Sequence, residues 1–576
     1  MSASETPSQC NPPDSGPVKP STPLVTFLQR VQKTALNTFG SSGFDPKRYV
    51  DLSLKFDLST TEKAFNSLPR SKNGSVPVEA LQDYLGKYFH EAGDDLVYFL
   101  PANFVPTPEG FLPAVKHPNV RAWALEVHSL WKNLSRRVSD DVRKQPDFHT
   151  LLPLPAPVVI PGSRFLEVYY WDSYWVIRGL LASQMYDTAK AIVTNLLFLI
   201  DQYTYVLNGA RTYYTNRSQP PLLSAMIRAI YNRTADIEFV RKSLPALLKE
   251  YEFWRSDIHE VTIQDAQGCI HHLSRYYAMW NKPRPESYTI DYQTASKLLN
   301  DTEKQKLYRE LASAAESGWD FSSRWMRNSS DLTTLATTSI IPVDLNAFIL
   351  GMEIDITFLA NVIGNNSLAA RFSEASQMRK KAMNSVFWNE KMQQWLDYWL
   401  SDSFKCKKGA ESWKACNQNQ NIFASNFIPL WIESFHSDVS LVGNVMKSFQ
   451  SSGLLHDAGI ATSLTNSGQQ WDFLNGWAPI QHMIIEGLVR SGLKEARSFA
   501  EDIAVRWLRS NYAGYKKTGA MHEKYDVEAC GKSGGGGEYI TQTGFGWTNG
   551  VALALLEEFG WPQNRAIDCP AGSWEN

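Results

Sequence analysis

The sequence predicts an all-α toroid, with helices paired around a hollow axis, on two observations. Apolar residues recur at helical spacing through most of the chain, in paired runs of ~10–20 residues joined by polar or Gly-rich loops. Strand-like runs are few and short, and no fixed-period repeat favours a solenoid.

In chain order, residues 1–22 are rich in Ser, Thr and Pro, the composition of a disordered tail. Residues 23–576 read as one domain that includes an N-terminal helical extension. Leu24, Phe27, Leu28, Val31 and Leu36 set its first amphipathic face. The spacing predicts further helices near Val78–His90, Val120–Val138, Asp187–Tyr205, Leu222–Tyr231, Asp236–Arg255 and Thr302–Ser317. Others are expected near Val343–Val362, Ser367–Phe387, Asn421–Phe435, Gly476–Ser491, Lys494–Asn511 and Trp547–Phe559.

A formal charge of −2, with 43% apolar residues, gives no pull toward nucleic acid or anionic membranes. No run approaches the ~20 apolar residues that span a bilayer. Without an apolar leader, the chain as written reads either as cytosolic or as a shortened form of a chain with its own N-terminal segment. The cysteines (Cys10, Cys269, Cys406, Cys416, Cys530 and Cys569) form no Cys-x-x-Cys pair, so a zinc site is not expected. Reduced thiols are the default, although Cys406 and Cys416 could close a short loop.

The chemistry concentrates in five polar-aromatic loops and one segment leading into a helix. The first, Pro161 to Trp175, places Arg164, Glu167 and Asp172 among Phe165, Tyr169, Tyr170, Trp171 and Tyr174. Rings cover the apolar faces of a sugar, and charged groups hydrogen-bond its hydroxyls. The others are Leu207–Pro221, Asn281–Tyr288, Glu316–Trp325, the run His522–Tyr525 with Gly534–Tyr539, and Gln469–Pro479. The four glycines are not a phosphate loop, because no Lys-Ser/Thr follows them and Glu538 would repel a phosphate. The sequon at Asn216 falls inside the second loop, and we expect it to be unmodified.

Two long motifs, PGSRFLEVYYWDSYW (161–175) and QQWDFLNGWAPIQ (469–481), carry a resemblance to the trehalase family of glycoside hydrolases, plant trehalases above all. It spans Pro23 to Pro562. Ser163 stands where many members have Gly, and Leu474 where many have Pro. The resemblance implies an (α/α)6 barrel of six inner and six outer helices, with a deep pocket at one end. It implies hydrolysis of α,α-trehalose to two glucoses with inversion.

Inversion needs a protonated acid on the leaving oxygen and a second carboxylate, ~6.5–9.5 Å away, to activate water. By motif position the acid is Asp320 and the base is Glu523. Trp319 and Phe321 flank Asp320, and an apolar wall keeps a carboxyl protonated. Carried over motif by motif, the sugar contacts are Arg164, Trp171, Asp172, Asn208, Arg217, Ser218, Gln219, Arg284, Glu286, Gly318 and Glu538, with Pro285 setting a turn. The partner is the small molecule trehalose, a monomer is expected, and no metal or organic cofactor is needed. Read without the resemblance, Asp320 could cap a helix, Glu523 could be solvated surface, and the three arginines could be structural ion-pair partners. The rival functions are hydrolysis or phosphorolysis of another α-glucoside, and a trehalose sensor, which would be expected to lack Asp320 or Glu523.

Overall fold

The structure, a computed structural model, describes residues 16–401 and 409–570. Most of the tail expected over 1–22 therefore lies outside the described residues. Residues 16–22 lie against the barrel: Lys19 N–H donates to Met279 O, and Arg309 donates to the carbonyls of Gly16 and Pro17.

Helices α1 (Pro23–Phe39), α2 (Pro46–Val50), α3 (Leu58–Asn66) and α4 (Val78–Tyr88) form the N-terminal extension. Its separate core, built on Phe27, Leu28, Val31, Phe65 and Tyr84, packs on Tyr169, Tyr213 and Tyr214 of the first two loops. A buried ion cluster reinforces that seam. Lys47 donates to Glu167 at 2.9 Å, Arg211 donates to the same carboxylate at 2.6 Å, and Tyr213 donates to Asp51 at 2.6 Å.

The barrel follows. After α5 (Pro118–Leu134) and the short α6 (Asp140–Lys144) come α7 (Asp172–Ala182), α8 (Tyr186–Tyr203), α9 (Leu223–Thr234) and α10 (Ile237–Trp254). The connecting helices α11 (Tyr288–Ala295) and α12 (Asp301–Glu316) lead to α13 (Val343–Val362) and α14 (Asn366–Val386). A 3-10 helix, Ala424–Trp431, precedes α15 (Val439–Ser451), α16 (Ala478–Arg490), α17 (Lys494–Thr518) and α18 (Gly546–Phe559). The inner ring is α7, α9, α13, the 3-10 helix, α16 and α18. Each packs on the next, and α18 closes back on α7. Outside them lie α5, α8, α10, α14, α15 and α17. This is the (α/α)6 barrel.

Local chemistry sets the ends of the elements. Side chains of Asp236, Asn300, Asn365 and Asp438 accept from the first-turn N–H groups of α10, α12, α14 and α15. Two expectations change. The helix expected over Asn421–Phe435 is a 3-10 turn, because Pro429 inside it has no N–H to donate. Helix α7 went unpredicted because its first turn, from Asp172, lies inside the stretch Pro161–Trp175 read as a polar-aromatic loop.

The expectation of reduced thiols is also corrected. Cys530 and Cys569 form a disulfide, with Cα atoms 5.9 Å apart across a separation of 39 residues, a juxtaposition only the fold creates. Among the described residues Cys269 and Cys416 are free, and Cys406 lies outside them. No described helix is long and apolar enough to cross a membrane.

Candidate active site

The N-terminal ends of the inner helices deliver the site. Trp171 and Asp172 start α7, Gln219 precedes α9, Trp477 precedes α16, and Phe545 and Trp547 flank the start of α18; all line one cavity. Asp320 enters from the loop after α12. Glu523 enters just before the strand Lys524–Asp526, which pairs antiparallel with Asn475–Trp477. That pairing places the second long motif beside Glu523, with Trp477 opposite Lys524.

Of the fourteen residues expected from the sequence, twelve line this cavity: Asp320 and Glu523, with Arg164, Trp171, Asp172, Asn208, Arg217, Gln219, Arg284, Glu286, Gly318 and Glu538. Ser218 and Pro285 do not. The Ser218 hydroxyl donates to Val206 O and its N–H to Glu316, while the Pro285 carbonyl accepts from Gln32. Both hold their loops in shape. Glu167 also lies away from the cavity, in the ion cluster beneath it.

The three arginines line the cavity and are also ion-paired. Arg164 forks onto Asp45 at 2.7 and 3.0 Å. Arg217 pairs with Glu286, and Arg284 forks onto Asp291 while donating to Glu538 at 2.8 Å. Such bidentate pairs fix a guanidinium in one plane. Burial pushes the Glu286 carboxyl up, but Arg217 and Arg284 outweigh it and hold the group below its usual range. Glu538 also accepts from the Ser287 hydroxyl at 3.0 Å.

Asp320 and Asp172 are both held toward the neutral form. Asp320 is half-buried and lines the cavity. Burial pushes its carboxyl up to about 7, with Arg284 pulling it down and Glu538 pushing it up. Burial pushes Asp172 up to about 8, aided by the negative charges of Glu523 and Asp320. Glu523 is buried and accepts twice, from the Tyr539 hydroxyl at 2.8 Å and from the Gln542 N–H at 3.2 Å.

An indole stack forms one wall. Trp471 lies parallel to Trp477 at 4.2 Å and stacks on Trp319 at 5.3 Å. Trp171 meets Trp471 and, edge-on, Trp547. Gly318 faces Trp171, and a Cβ there would stand 2.7 Å from the indole. Ser163, in place of the family's glycine, takes a φ of 50° and donates to Thr543 O. The glycine run is pinned: Gly535 N–H donates to Asn475 and Gly537 N–H to Gly468 O. Asn216 is buried and its amide donates to Tyr213 O.

Sequence reasoning missed several lining groups, including Gln470, Trp471, Trp477 and Tyr539. Gln470, Trp471 and Trp477 stand inside the second long motif and Tyr539 ends the Gly-rich loop, but polarity and ring content alone do not say which side chains turn inward. Among the described residues no group of His, Cys, Asp and Glu is arranged to hold a metal ion.

A family model described as trehalase matches residues 42–560. The chain is 60% identical over 553 residues to a probable trehalase of Oryza sativa subsp. japonica, covering 95% of this chain and 97% of that one. It is 59% identical over 559 residues to a trehalase of Arabidopsis thaliana, covering 96% of this chain and 89% of that one. Among solved structures, a neutral trehalase from Saccharomyces cerevisiae aligns with a TM-score of 0.58 at 21% identity, over 76% of this chain and 94% of that one. That last likeness is one of fold.

Proposed function

The chain belongs to the trehalase family, and from that premise we propose that it hydrolyses α,α-trehalose with Asp320 as general acid and Glu523 as general base. It is a glycoside hydrolase, and its products are two glucose molecules formed with inversion. The observation that carries the role assignment is the unlike environment of two carboxylates facing one cavity. Burial and Glu538 keep Asp320 protonated near neutrality. Glu523 receives hydrogen bonds on both oxygens, the pattern of an acceptor. A carboxyl held toward its neutral form suits the acid, and a carboxylate set as a hydrogen-bond acceptor suits the base.

In this reading Asp320 donates its proton to the glycosidic oxygen as the bond breaks. Glu523 removes a proton from a water that attacks the anomeric carbon from the opposite face. The indole wall packs on the apolar faces of the sugar. Arg164, Arg217 and Arg284, each fixed by a carboxylate, present preoriented N–H groups to hydroxyls. Asp172, held neutral, donates to a hydroxyl rather than adding a second negative charge beside Glu523.

The test is steady-state kinetics with trehalose, maltose and trehalose 6-phosphate. Trehalose should be turned over best. Asp320→Asn and Glu523→Gln should each lower kcat by at least ~10²–10⁴-fold, the worth of general acid–base help, while trehalose still binds by calorimetry. Turnover near the parent's in either variant would sink that role.

A further inference from the structure

The base has two hydrogen-bond donors, and one of them leads out of the barrel. Tyr539 donates to Glu523 Oε1, and the Gln542 N–H donates to Oε2. The Tyr539 ring is fixed in turn. The Arg164 guanidinium lies 4.6 Å from its centroid, and Phe165 meets it edge-on at 5.5 Å. Arg164 is forked onto Asp45, which caps α2 of the N-terminal extension by accepting from Lys47 N–H. Asp45, Arg164, Tyr539 and Glu523 thus touch in series, across three segments remote in sequence.

We propose that Tyr539 is a positioning residue that fixes the plane of the Glu523 carboxylate, and that Arg164 and Asp45 hold Tyr539 in place. The N-terminal extension then takes part in setting the geometry of the base. This inference rests on the reading of Glu523 as the base.

A glutamate carboxylate turns easily about its last torsion. A general base needs one lone pair aimed at the attacking water, so free rotation wastes encounters. Donors on both oxygens hold the plane and leave the remaining lone pairs for the water. The phenol must stay protonated to donate. Burial, followed by the charges of Glu523 and Asp320, pushes its ionisation well above the ordinary phenol value. Asp172 and Lys524 sense the charge of Glu523, Asp320 lines the same cavity, and the neighbouring His522 ring is turned to the Thr518 hydroxyl. The Lys524 ammonium is directed at Gln470, 2.6 Å away, rather than at the carboxylate.

Two conservative substitutions separate the parts. Tyr539→Phe keeps the ring that Arg164 and Phe165 contact and deletes only the hydroxyl. Asp45→Asn can still cap α2 but loses the charge that holds the guanidinium fork. The experiment is pH-resolved steady-state kinetics on the full chain for each variant, the double variant and Glu523→Gln.

Tyr539→Phe should lower kcat by ~10–100-fold, on the scale expected for a misplaced reacting group, with KM changed less than about twofold. Loss of a donor disfavours the ionised carboxylate. The acid limb of kcat/KM should therefore move to higher pH. Asp45→Asn should lower kcat less, and the double variant should match Tyr539→Phe alone, since groups in one network do not act additively. Parent-like kcat and acid limb in Tyr539→Phe overturn the proposal. So does a rise in KM alone, which would make the hydroxyl a sugar contact. A multiplicative double variant removes Asp45 from the chain of contacts. Glu523→Gln keeps the two ideas apart. If it still turns over, the base assignment fails; if it is inactive while Tyr539→Phe is silent, only the positioning role fails.

Discussion

The Gln470 amide donates to the backbone carbonyl of Asp320 at 2.7 Å, and its oxygen accepts from Lys524 at 2.6 Å. One side chain therefore ties the loop of Asp320, the proposed acid, to the strand that follows Glu523, the proposed base. Removing it leaves the pairing of Asn475–Trp477 with Lys524–Asp526, and the bonds of Trp471 and Asp472 to Phe321, Ser322 and Ser323, to hold their spacing. Gln470→Ala should cost ~10–100-fold in kcat, because sub-ångström placement of reacting groups matters that much. Rapid-quench measurement of the chemical step checks this, and an unchanged step means that the remaining bonds between these segments set the spacing.

Activity should fall on the basic side as Asp320 loses its proton, around the value of about 7 to which burial raises it. Glu538 is one cause of that elevation, and it also occupies Arg284. Glu538→Gln removes the negative charge and leaves Arg284 freer to favour the aspartate anion. Both effects lower the Asp320 value. The basic limb of kcat should shift to lower pH in this variant, whatever happens to KM. A shift to higher pH contradicts this account of how the acid is tuned.

Asp172 makes a stability prediction. Its folded-state value, about 8, lies above the ~3.9 of an unfolded aspartate. A carboxyl raised in this way contributes stability that is fully present below about pH 4 and is lost as pH rises through about 8. Asp172→Asn has no such loss. Relative to the parent, its thermal midpoint should therefore rise as pH goes from 5 to 8.5, while sugar affinity drops. A pH-independent difference in midpoint counts against the burial argument.

Gly318 sits at a φ of 75° with Trp171 behind it. Gly318→Ala meets both a left-handed backbone and an indole 2.7 Å from the new Cβ. Such strain costs roughly 1–3 kcal/mol. Denaturant unfolding should report that loss. KM should rise as well, because Trp171 is displaced from the wall of the cavity. Parent-like unfolding would mean that the loop relaxes freely.

Much of the molecule was legible in its order of residues. Amphipathic runs located α4, α5, α8, α10 and α14, because each outer or peripheral helix must show one apolar stripe to the barrel and one polar face to water. Helix α7 escaped it because its start falls inside the polar-aromatic stretch Pro161–Trp175, and the outer helix α15 went unpredicted although it has an apolar stripe. The 3-10 helix needed attention to Pro429 rather than to periodicity.

The sequence by itself determined the residue types that could form a sugar pocket, and its resemblance to the trehalase family singled out Asp320, in the loop Glu316–Trp325, and Glu523, in the run His522–Tyr525, as the carboxylates to watch. Tertiary structure alone decided which side chains face the cavity and what surrounds each. It sent Glu167, Ser218 and Pro285 to structural tasks, turned Gln470 and Tyr539 inward, and joined Cys530 to Cys569. The physical reason is that a carboxyl's protonation and a ring's accessibility depend on neighbours brought from distant segments. Arg284, Glu538 and Glu523 reach Asp320 or Asp172 only after the inner ring has closed.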